Sequence, residues 1–154
     1  MVQQIDVAAA QGERTVVLAT GARSEAAATR LYPALDPVCL VEVGDFTGIA
    51  PRRAAHAGMA KVVFVGMGGK LAAGVMMTHF HRSEVDTALL AALAVEGEAP
   101  PAVVEAATAT VTARHFFDAC VTHGCLGPLA LLCERSVAYR AGGAGSSRVR
   151  NAGV

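Results

Sequence analysis

The first part of the chain alternates between two hydrophobic periodicities. Apolar residues at Val2, Ile5 and Ala9 follow the spacing of a helix that stops at Gly12. The next apolar run, TVVLA from Thr15 to Ala19, is continuous and rich in β-branched residues. This run predicts a buried strand directly after the first helix.

The helix and strand pattern then repeats. The segment TGARSEAAATRLY contains a glycine turn and Ser24 as the expected N-cap of a helix that ends before Pro33. A second strand is predicted from Val38 to Val43 and a third from Lys61 to Val65, with a helix between them that Gly58 closes. Strands that alternate with helices indicate a parallel sheet with right-handed crossovers. We therefore expect an α/β fold, namely a three-layer Rossmann-like domain with a short parallel sheet and a mainly helical carboxy-terminal part.

The carboxy-terminal half has helical spacing and no convincing fourth strand. Ser83 and Asp86 resemble a capping box, and Pro100 and Pro101 mark a further helix start. We expect one α/β domain over residues 1–141 and, because the tail after it has little apolar content, a disordered segment over residues 142–154. The predicted helices begin near Ser83 and Pro100 and run from Thr112 to Thr122 and from Pro128 to Tyr139.

Composition excludes several classes of function. The 154 residues are 53% hydrophobic and 17% charged with a formal net charge of zero, so no basic field favours nucleic acid or an anionic membrane. No apolar run approaches the roughly 20 residues that cross a bilayer. The amino terminus lacks the basic and apolar regions of a secretory signal. We therefore expect a soluble cytoplasmic protein whose cysteines are reduced.

Glycine-rich loops follow the three predicted strands, at residues 20–24, 44–48 and 66–70. In a parallel sheet such loops meet at the carboxyl edge, where helix amino termini present unpaired N–H groups to ligands. Glu42 and Asp45 lie 21 and 24 residues beyond Gly21, about where nucleoside-binding folds place the carboxylate that accepts ribose hydroxyls. The loops also fit a simpler interpretation, in which each glycine only satisfies a turn. The cofactor-binding residues expected here are Gly21, Asp45, Gly66, Gly68 and Gly69.

The loop GMGGK does not match the phosphate-binding loop of nucleotide triphosphatases. That motif needs four residues between its glycines and a hydroxyl after the lysine, whereas Gly66 and Gly69 are closer and Leu71 follows Lys70. Leu71 also occupies the last glycine position of a dinucleotide fingerprint. The loop is therefore predicted to bind an anion or a cofactor without either standard motif.

The segment CVTHGC raises the possibility of zinc. It places Cys120, His123 and Cys125 close together, with Cys133 further along the chain. The paired CxxC spacing of zinc knuckles is missing, and Cys120 and Cys133 lie in apolar helical surroundings. Buried reduced thiols are the favoured interpretation, and no metal is expected.

Four segments together resemble one family. They are TVVLATGARSE, VEVGDFTGIA, KVVFVGMGGKLAAGVMMTH and HRSEVD, and they look like the carboxy-terminal half of the cobalt-precorrin-5B C1-methyltransferases of anaerobic cobalamin biosynthesis, the CbiD family. The resemblance extends from about Ile5 to Tyr139, and Gly66 to His79 is its most specific part. It implies an S-adenosylmethionine-dependent methyltransferase that acts at C1 of a cobalt-containing tetrapyrrole. Family members are more than twice as long, so we expect a partial chain that works with a separate amino-terminal half or as a homo-oligomer.

The resemblance also suggests substrate contacts. A corrin precursor carries many carboxylates, so its site needs cationic donors, and Lys70 and Arg82 are better candidates than Arg52 and Arg53, which fit a solvated helix face. His79 is the candidate catalytic base, with a simple polar contact as the alternative. A second hypothesis is an inactive α/β remnant or a nucleoside-binding module without turnover. The expected substrate-binding residues are Lys70, Thr78, His81 and Arg82.

Overall fold

The computed structural model describes residues 1–44, 47–71, 86–110, 112–144 and 148–153. These residues form two compact units. The sheet unit contains Met1–Met67 and Val137–Ala152, and the helical unit contains Gly68–Ser136. The expectation of one domain over residues 1–141 stays a prediction.

The sheet unit is built around parallel strands. Its order is β2-β1-β3-β4, and β1 pairs in parallel with β2 on one side and with β3 on the other. The parallel sheet and the mixed α/β class are confirmed, whereas the three-layer Rossmann-like arrangement stays a prediction. The elements are α1 (Val2–Ala10), β1 (Thr15–Ala19), α2 (Ala22–Leu31), a 3-10 turn (Pro37–Cys39), β2 (Leu40–Glu42), α3 (Ile49–His56), β3 (Lys61–Gly66) and β4 (Arg148–Gly153).

Small residues let α2 lie close against the sheet. Ala27 and Ala28 pack on Val17, Val63 and Val65, which all point to one face. Alternate residues on the strands point to the other face and are also fully buried, as strands of parallel sheets usually are. These residues are Val16, Leu18, Val62 and Phe64.

The second strand is shorter than the predicted span from Val38 to Val43. Asp36 Oδ1 accepts a hydrogen bond from the Val38 N–H at 2.9 Å, and Pro37 fixes the first residue of the 3-10 turn. The cap and the proline favour a tight turn over an extended chain, so the strand begins only at Leu40. The strands Thr15–Ala19 and Lys61–Gly66 confirm the other two predictions.

The helical unit contains helices that are joined by short connections. We label them α4 (Thr87–Glu96), α5 (Pro101–Ala109), α6 (Ala113–Thr122) and α7 (Gly127–Ala144), and the last extends into the sheet unit. Contacts join α4 to α5 and α5 to α6. The fully or nearly fully buried side chains include Leu90, Leu93, Val103, Phe116 and Cys120.

Several predicted helix boundaries are confirmed, and the start of α4 is corrected. The helix start at Pro101 and the helix end at Thr122 agree with the sequence. Asp86 is itself the N-cap of α4, because its carboxylate accepts a hydrogen bond from the Leu89 N–H at 2.9 Å. It is therefore not the third helical residue of a box that begins at Ser83, which lies outside the described residues.

The carboxy terminus differs from the predicted disorder over residues 142–154. In the part that is described, α7 continues to Ala144 and Arg148–Gly153 form β4 beside β3. Backbone hydrogen bonding at a sheet edge can recruit a segment of low hydrophobicity, which a hydrophobicity pattern does not reveal. Residues 145–147 and 154 lie outside the described residues. Among the described helices, none is both long enough and apolar enough to cross a bilayer.

Candidate cofactor site at the carboxyl edge of the sheet

Two backbone hydrogen bonds fix the point where the central strand ends. The Val43 N–H donates to the Ala19 carbonyl at 2.8 Å, and the Thr20 N–H donates to the Val65 carbonyl at 3.2 Å. The chain after β1 is thus held on both sides as it leaves the sheet. Gly21 directly follows Thr20, and Gly66 directly follows Val65. These two predicted site residues therefore lie at the same edge of the sheet.

Gly21 has a backbone conformation that favours glycine. Its φ is 152°, a value that side-chain-bearing residues rarely adopt, and it is the N-cap of α2. Among the residues that the structure describes, no side chain caps this helix, although Ser24 was predicted to do so. The first-turn N–H groups of α2 therefore remain available to acceptors on a ligand at this edge.

Ser24 lies inside the first turn of α2 rather than before it. Its side chain is only 1% exposed, and its Oγ is 3.1 Å from the Thr20 Oγ1. Thr20 is half-buried at the strand end. The buried hydroxyl of Ser24 therefore holds the Thr20 side chain at the start of the glycine turn. In the sequence, the only indication of this role is that two hydroxyl residues lie four positions apart around Gly21.

Glu42 supplies the acidic group at this edge. It is the last residue of β2, pairs in register with Ala19 and is exposed. A Cβ atom at Gly21 would lie 4.0 Å from its Oε1, so the carboxylate lies beside the glycine turn. Asp45, the predicted ribose-side residue, lies outside the described residues.

The loop GMGGK divides into a strand end and a helix start. Gly66 is the buried last residue of β3, whereas residues 68–71 are helical and belong to the helical unit. None of Gly66, Gly68 and Gly69 is among the glycines with positive φ, so these three do not need glycine for its backbone conformation. Their assignment to the cofactor stays a prediction.

The start of this helix is anchored within the helical unit. A Cβ at Gly68 would lie 3.9 Å from the Phe117 ring, and a Cβ at Gly69 would lie 3.8 Å from the Ala113 Cβ. The buried Ser136 hydroxyl donates to the Leu71 carbonyl at 3.0 Å. Sequence reasoning missed Ser136, although a serine four residues after Leu132 in a helical pattern indicates a polar group on the buried face.

The structure describes some of the cationic residues that were considered for the substrate site. Lys70 is half-buried and lies in the helical residues 68–71. Arg53 pairs with Asp6 at 2.6 Å, which agrees with a structural role for that arginine. The remaining predicted residues of the substrate site lie outside the described residues, namely Thr78, His79, His81 and Arg82.

Two of the four cysteines are buried thiols. Cys39 and Cys120 are buried, and Cys125 and Cys133 are half-buried. Burial raises the pKa of Cys120 to about 11, with a contribution from the neighbouring Cys125. Burial, with the nearby Glu13, likewise raises the pKa of Cys39 to about 11. Both stay protonated near neutral pH, and no cluster of three or more potential metal ligands occurs in the described part of the chain.

Comparisons with known proteins cover nearly the whole chain. The family model described as the CbiD C-terminal domain matches residues 77–150. A cobalt-precorrin-5B C(1)-methyltransferase of Salinispora tropica is 52% identical over 139 residues, which cover 88% of this chain and 37% of the relative. The matched residues belong to the CbiD family. An enzyme of the same name in Rubrobacter xylanophilus is 48% identical over 94% of this chain and 39% of the relative. Another in Geobacillus thermodenitrificans is 41% identical over 87% of this chain and 37% of the relative.

These matches also include the candidate site. An alignment that covers 88% of the chain must contain the strand ends at Gly21, Glu42 and Gly66, which lie well inside both termini. The chain spans less than two fifths of the length of the CbiD-family relatives named above. No solved structure matches the chain.

Proposed function

We propose that this chain contributes the carboxy-terminal part of a cobalt-precorrin-5B C(1)-methyltransferase, which methylates C1 of a cobalt-containing tetrapyrrole in cobalamin biosynthesis. The observation that carries the proposal is the identity of 52% to an enzyme of that name over 88% of this chain. The activity belongs to a longer protein, of which this chain matches about two fifths or less.

The proposed methyl donor is S-adenosylmethionine, bound at the carboxyl edge of the sheet. When bound, it supplies an electrophilic methyl group on a sulfonium. The features that support this placement are the open glycine turn at Gly21, the uncapped N-terminus of α2 and the adjacent Glu42 carboxylate. The proposed cofactor residues are Gly21, Asp45, Gly66, Gly68 and Gly69.

The proposed task of the protein is to align donor and acceptor. Methyl transfer needs reacting atoms about 3–3.5 Å apart, and a misplacement of about 1 Å costs on the order of a hundredfold in rate. Cationic and polar side chains would hold the carboxylates of the macrocycle, with His79 as a base if a proton must leave. We assign this role to Lys70, Thr78, His81 and Arg82.

The test is a complementation assay with the purified chain, cobalt-precorrin-5B and methyl-labelled S-adenosylmethionine. A large anionic macrocycle needs a broad cleft, and such clefts commonly form between domains. We therefore expect no label transfer by the chain alone and transfer after addition of the amino-terminal part of a longer relative. Transfer by the chain alone would disprove the requirement for a second part.

The alternative function is a nucleoside-binding module without turnover. The N-terminus of α2 beside the glycine turn at Gly21 supports this alternative, because such a turn can bind a nucleoside without any methyl transfer. It predicts that the chain binds S-adenosylhomocysteine, yet transfers no label in the presence of the amino-terminal part. The complementation assay therefore separates the two functions.

A further inference from the structure

We propose that Cys120 and Cys125 form an oxidation site, in which a hydroperoxide joins the two thiols in a reversible disulfide at the end of α6. This inference is independent of the proposed function, because neither cysteine is among the residues assigned to the cofactor or the substrate. Both cysteines carry free thiols in the structure. The observation that carries the inference is the backbone geometry that brings the two residues together.

A Schellman motif ends α6 and places the two cysteines at its paired positions. The Cys125 N–H donates to the Cys120 carbonyl at 2.8 Å, and the Gly124 N–H donates to the Val121 carbonyl at 3.0 Å. Gly124 has a φ of 62°, which is the left-handed conformation that this motif requires. The residues that the longer bond of the motif joins, here Cys120 and Cys125, commonly have side chains in contact.

The backbone bond limits the distance between the two Cα atoms. A carbonyl oxygen lies about 2.4 Å from its own Cα, and an amide nitrogen lies about 1.5 Å from its own Cα. The 2.8 Å bond therefore keeps the Cα atoms of Cys120 and Cys125 within about 6.7 Å of each other. Disulfides span Cα distances of about 4.4–6.8 Å, so this distance permits the bond without a change in the helix end.

The two thiols differ in their access to an oxidant. Cys120 is 0% exposed, and burial, with a contribution from the nearby Cys125, raises its pKa to about 11. Cys125 is half-buried, so a small peroxide reaches its sulfur first. The expected order is therefore oxidation of Cys125, followed by attack of the buried Cys120.

The two steps together are a two-electron oxidation. The Cys125 thiolate attacks one oxygen of the hydroperoxide, the O–O bond breaks, and Cys125 becomes a sulfenic acid. The other oxygen takes the proton that the Cys125 thiol has lost and leaves as water or an alcohol. The Cys120 sulfur then attacks the Cys125 sulfur, the S–O bond breaks, and the hydroxyl leaves as water with the Cys120 proton. A dithiol reductant reverses the reaction by thiol–disulfide exchange.

The test treats the reduced full chain with hydrogen peroxide, blocks the remaining thiols with N-ethylmaleimide and analyses the tryptic peptide of residues 115–135 by mass spectrometry. This peptide contains Cys120, Cys125 and Cys133. We expect the peptide to lose two hydrogens and to carry one maleimide label, at Cys133. Treatment with dithiothreitol before the label should restore labelling of all three cysteines. A label at Cys120 or Cys125, or the absence of any disulfide, would overturn the proposal.

Variants locate the bond and the order of the steps. Cys133→Ser is the matched control, because Cys133 is half-buried like Cys125 but lies in α7, outside the motif. This variant should form the disulfide as the unchanged chain does, and Cys125→Ser should form none. In Cys120→Ala, dimedone should trap a sulfenic acid at Cys125, whereas Cys125→Ser should give no adduct at Cys120. A disulfide that persists in Cys125→Ser would contradict the pairing.

A second measurement tests whether the fold brings the thiols together. The unchanged chain is equilibrated with reduced and oxidised glutathione, both under native conditions and in urea that unfolds it. Because the motif exists only in the folded chain, we expect the equilibrium constant for disulfide formation to fall about tenfold in urea. Equal constants in the two conditions would show that the helix end does not favour the bond, and would overturn the inference.

Discussion

The sheet unit and the helical unit use glycine for different physical reasons. In the sheet unit, Gly12 and Gly58 have φ values of 85° and 77°, and a Cβ at either position would meet nothing within 4 Å. In the helical unit, Gly97 and Gly127 lack a positive φ, but a Cβ at Gly97 would lie 2.6 Å from the Pro128 nitrogen. Gly58 is needed for its backbone dihedral, and Gly97 is needed for space.

Polar side chains differ between the units in a corresponding way. In the sheet unit, Thr20 and Glu42 lie at a strand edge where a ligand can reach them. In the helical unit, Ser136 is fully buried and holds the Leu71 carbonyl. The comparison shows that Thr20 and Glu42 at the strand edge remain at least partly exposed, whereas Ser136 stabilises a packed helix start.

Addition of one methyl group to the crowded glycine should produce the largest effect. Gly97→Ala places a Cβ against the backbone of Gly127 and Pro128, which cannot move as a flexible side chain would. We expect the free energy of unfolding to fall by about 1–3 kcal/mol, as is usual for overpacking. Urea denaturation of the full chain, followed by circular dichroism, measures this change.

The control for this substitution is Gly48→Ala in the sheet unit. Gly48 has a φ of −87°, and a Cβ there would meet nothing within 4 Å. We expect a change within about 0.5 kcal/mol. If Gly97→Ala proves no more destabilising than Gly48→Ala, the result would contradict the close approach of the Gly97 backbone to Gly127 and Pro128.

Removal of the Ser136 hydroxyl should have the next largest effect. Ser136→Ala leaves the Leu71 carbonyl without this donor in a position where the serine side chain is 0% exposed. We expect a loss of about 1–2 kcal/mol in the free energy of unfolding, because a buried acceptor that loses its partner keeps its desolvation cost. The same denaturation experiment applies.

Thr29→Val in the sheet unit provides the matched comparison. Thr29 Oγ1 donates to the Glu25 carbonyl at 3.0 Å, but this bond is exposed and water can replace it. We expect a change within about 0.5 kcal/mol. Equal losses for Ser136→Ala and Thr29→Val would show that burial does not distinguish the two hydroxyls.

Local patterns predicted those features that depend on nearby residues. The strands Thr15–Ala19 and Lys61–Gly66 were predictable because continuous β-branched runs precede glycine turns. Their parallel pairing then brought Gly21 and Gly66 to one edge. The predicted start of the second strand at Val38 was wrong, because the prediction gave more weight to the hydrophobic run than to the Asp36 cap on the 3-10 turn.

Features that depend on distant residues were not predictable. The need for glycine at position 97 comes from Pro128, which contacts it only in the folded chain. Spacing alone did not separate Glu42 from Asp45, since both follow Gly21 by about twenty residues, and the predicted cofactor site included Asp45. The position of the Glu42 carboxylate beside the glycine turn depends on the register of β1 with β2.

The smallest expected effect is a gain in stability at Glu98. The end of α4 has the two backbone bonds of a Schellman motif, from Glu98 to Val95 at 3.1 Å and from Ala99 to Ala94 at 2.9 Å. This motif requires a left-handed residue, and Glu98 has a φ of 53°, whereas Gly58 occupies the equivalent position after α3 in the sheet unit. Position 97 needs glycine for space, and the left-handed position 98 holds a residue with a side chain. Glu98→Gly should raise the free energy of unfolding by up to about 1 kcal/mol, since the relief of Cβ strain exceeds the added entropy of the unfolded chain. The reciprocal change Gly58→Ala should lower it by about 1 kcal/mol. A loss of stability in Glu98→Gly would contradict the strained left-handed conformation at Glu98.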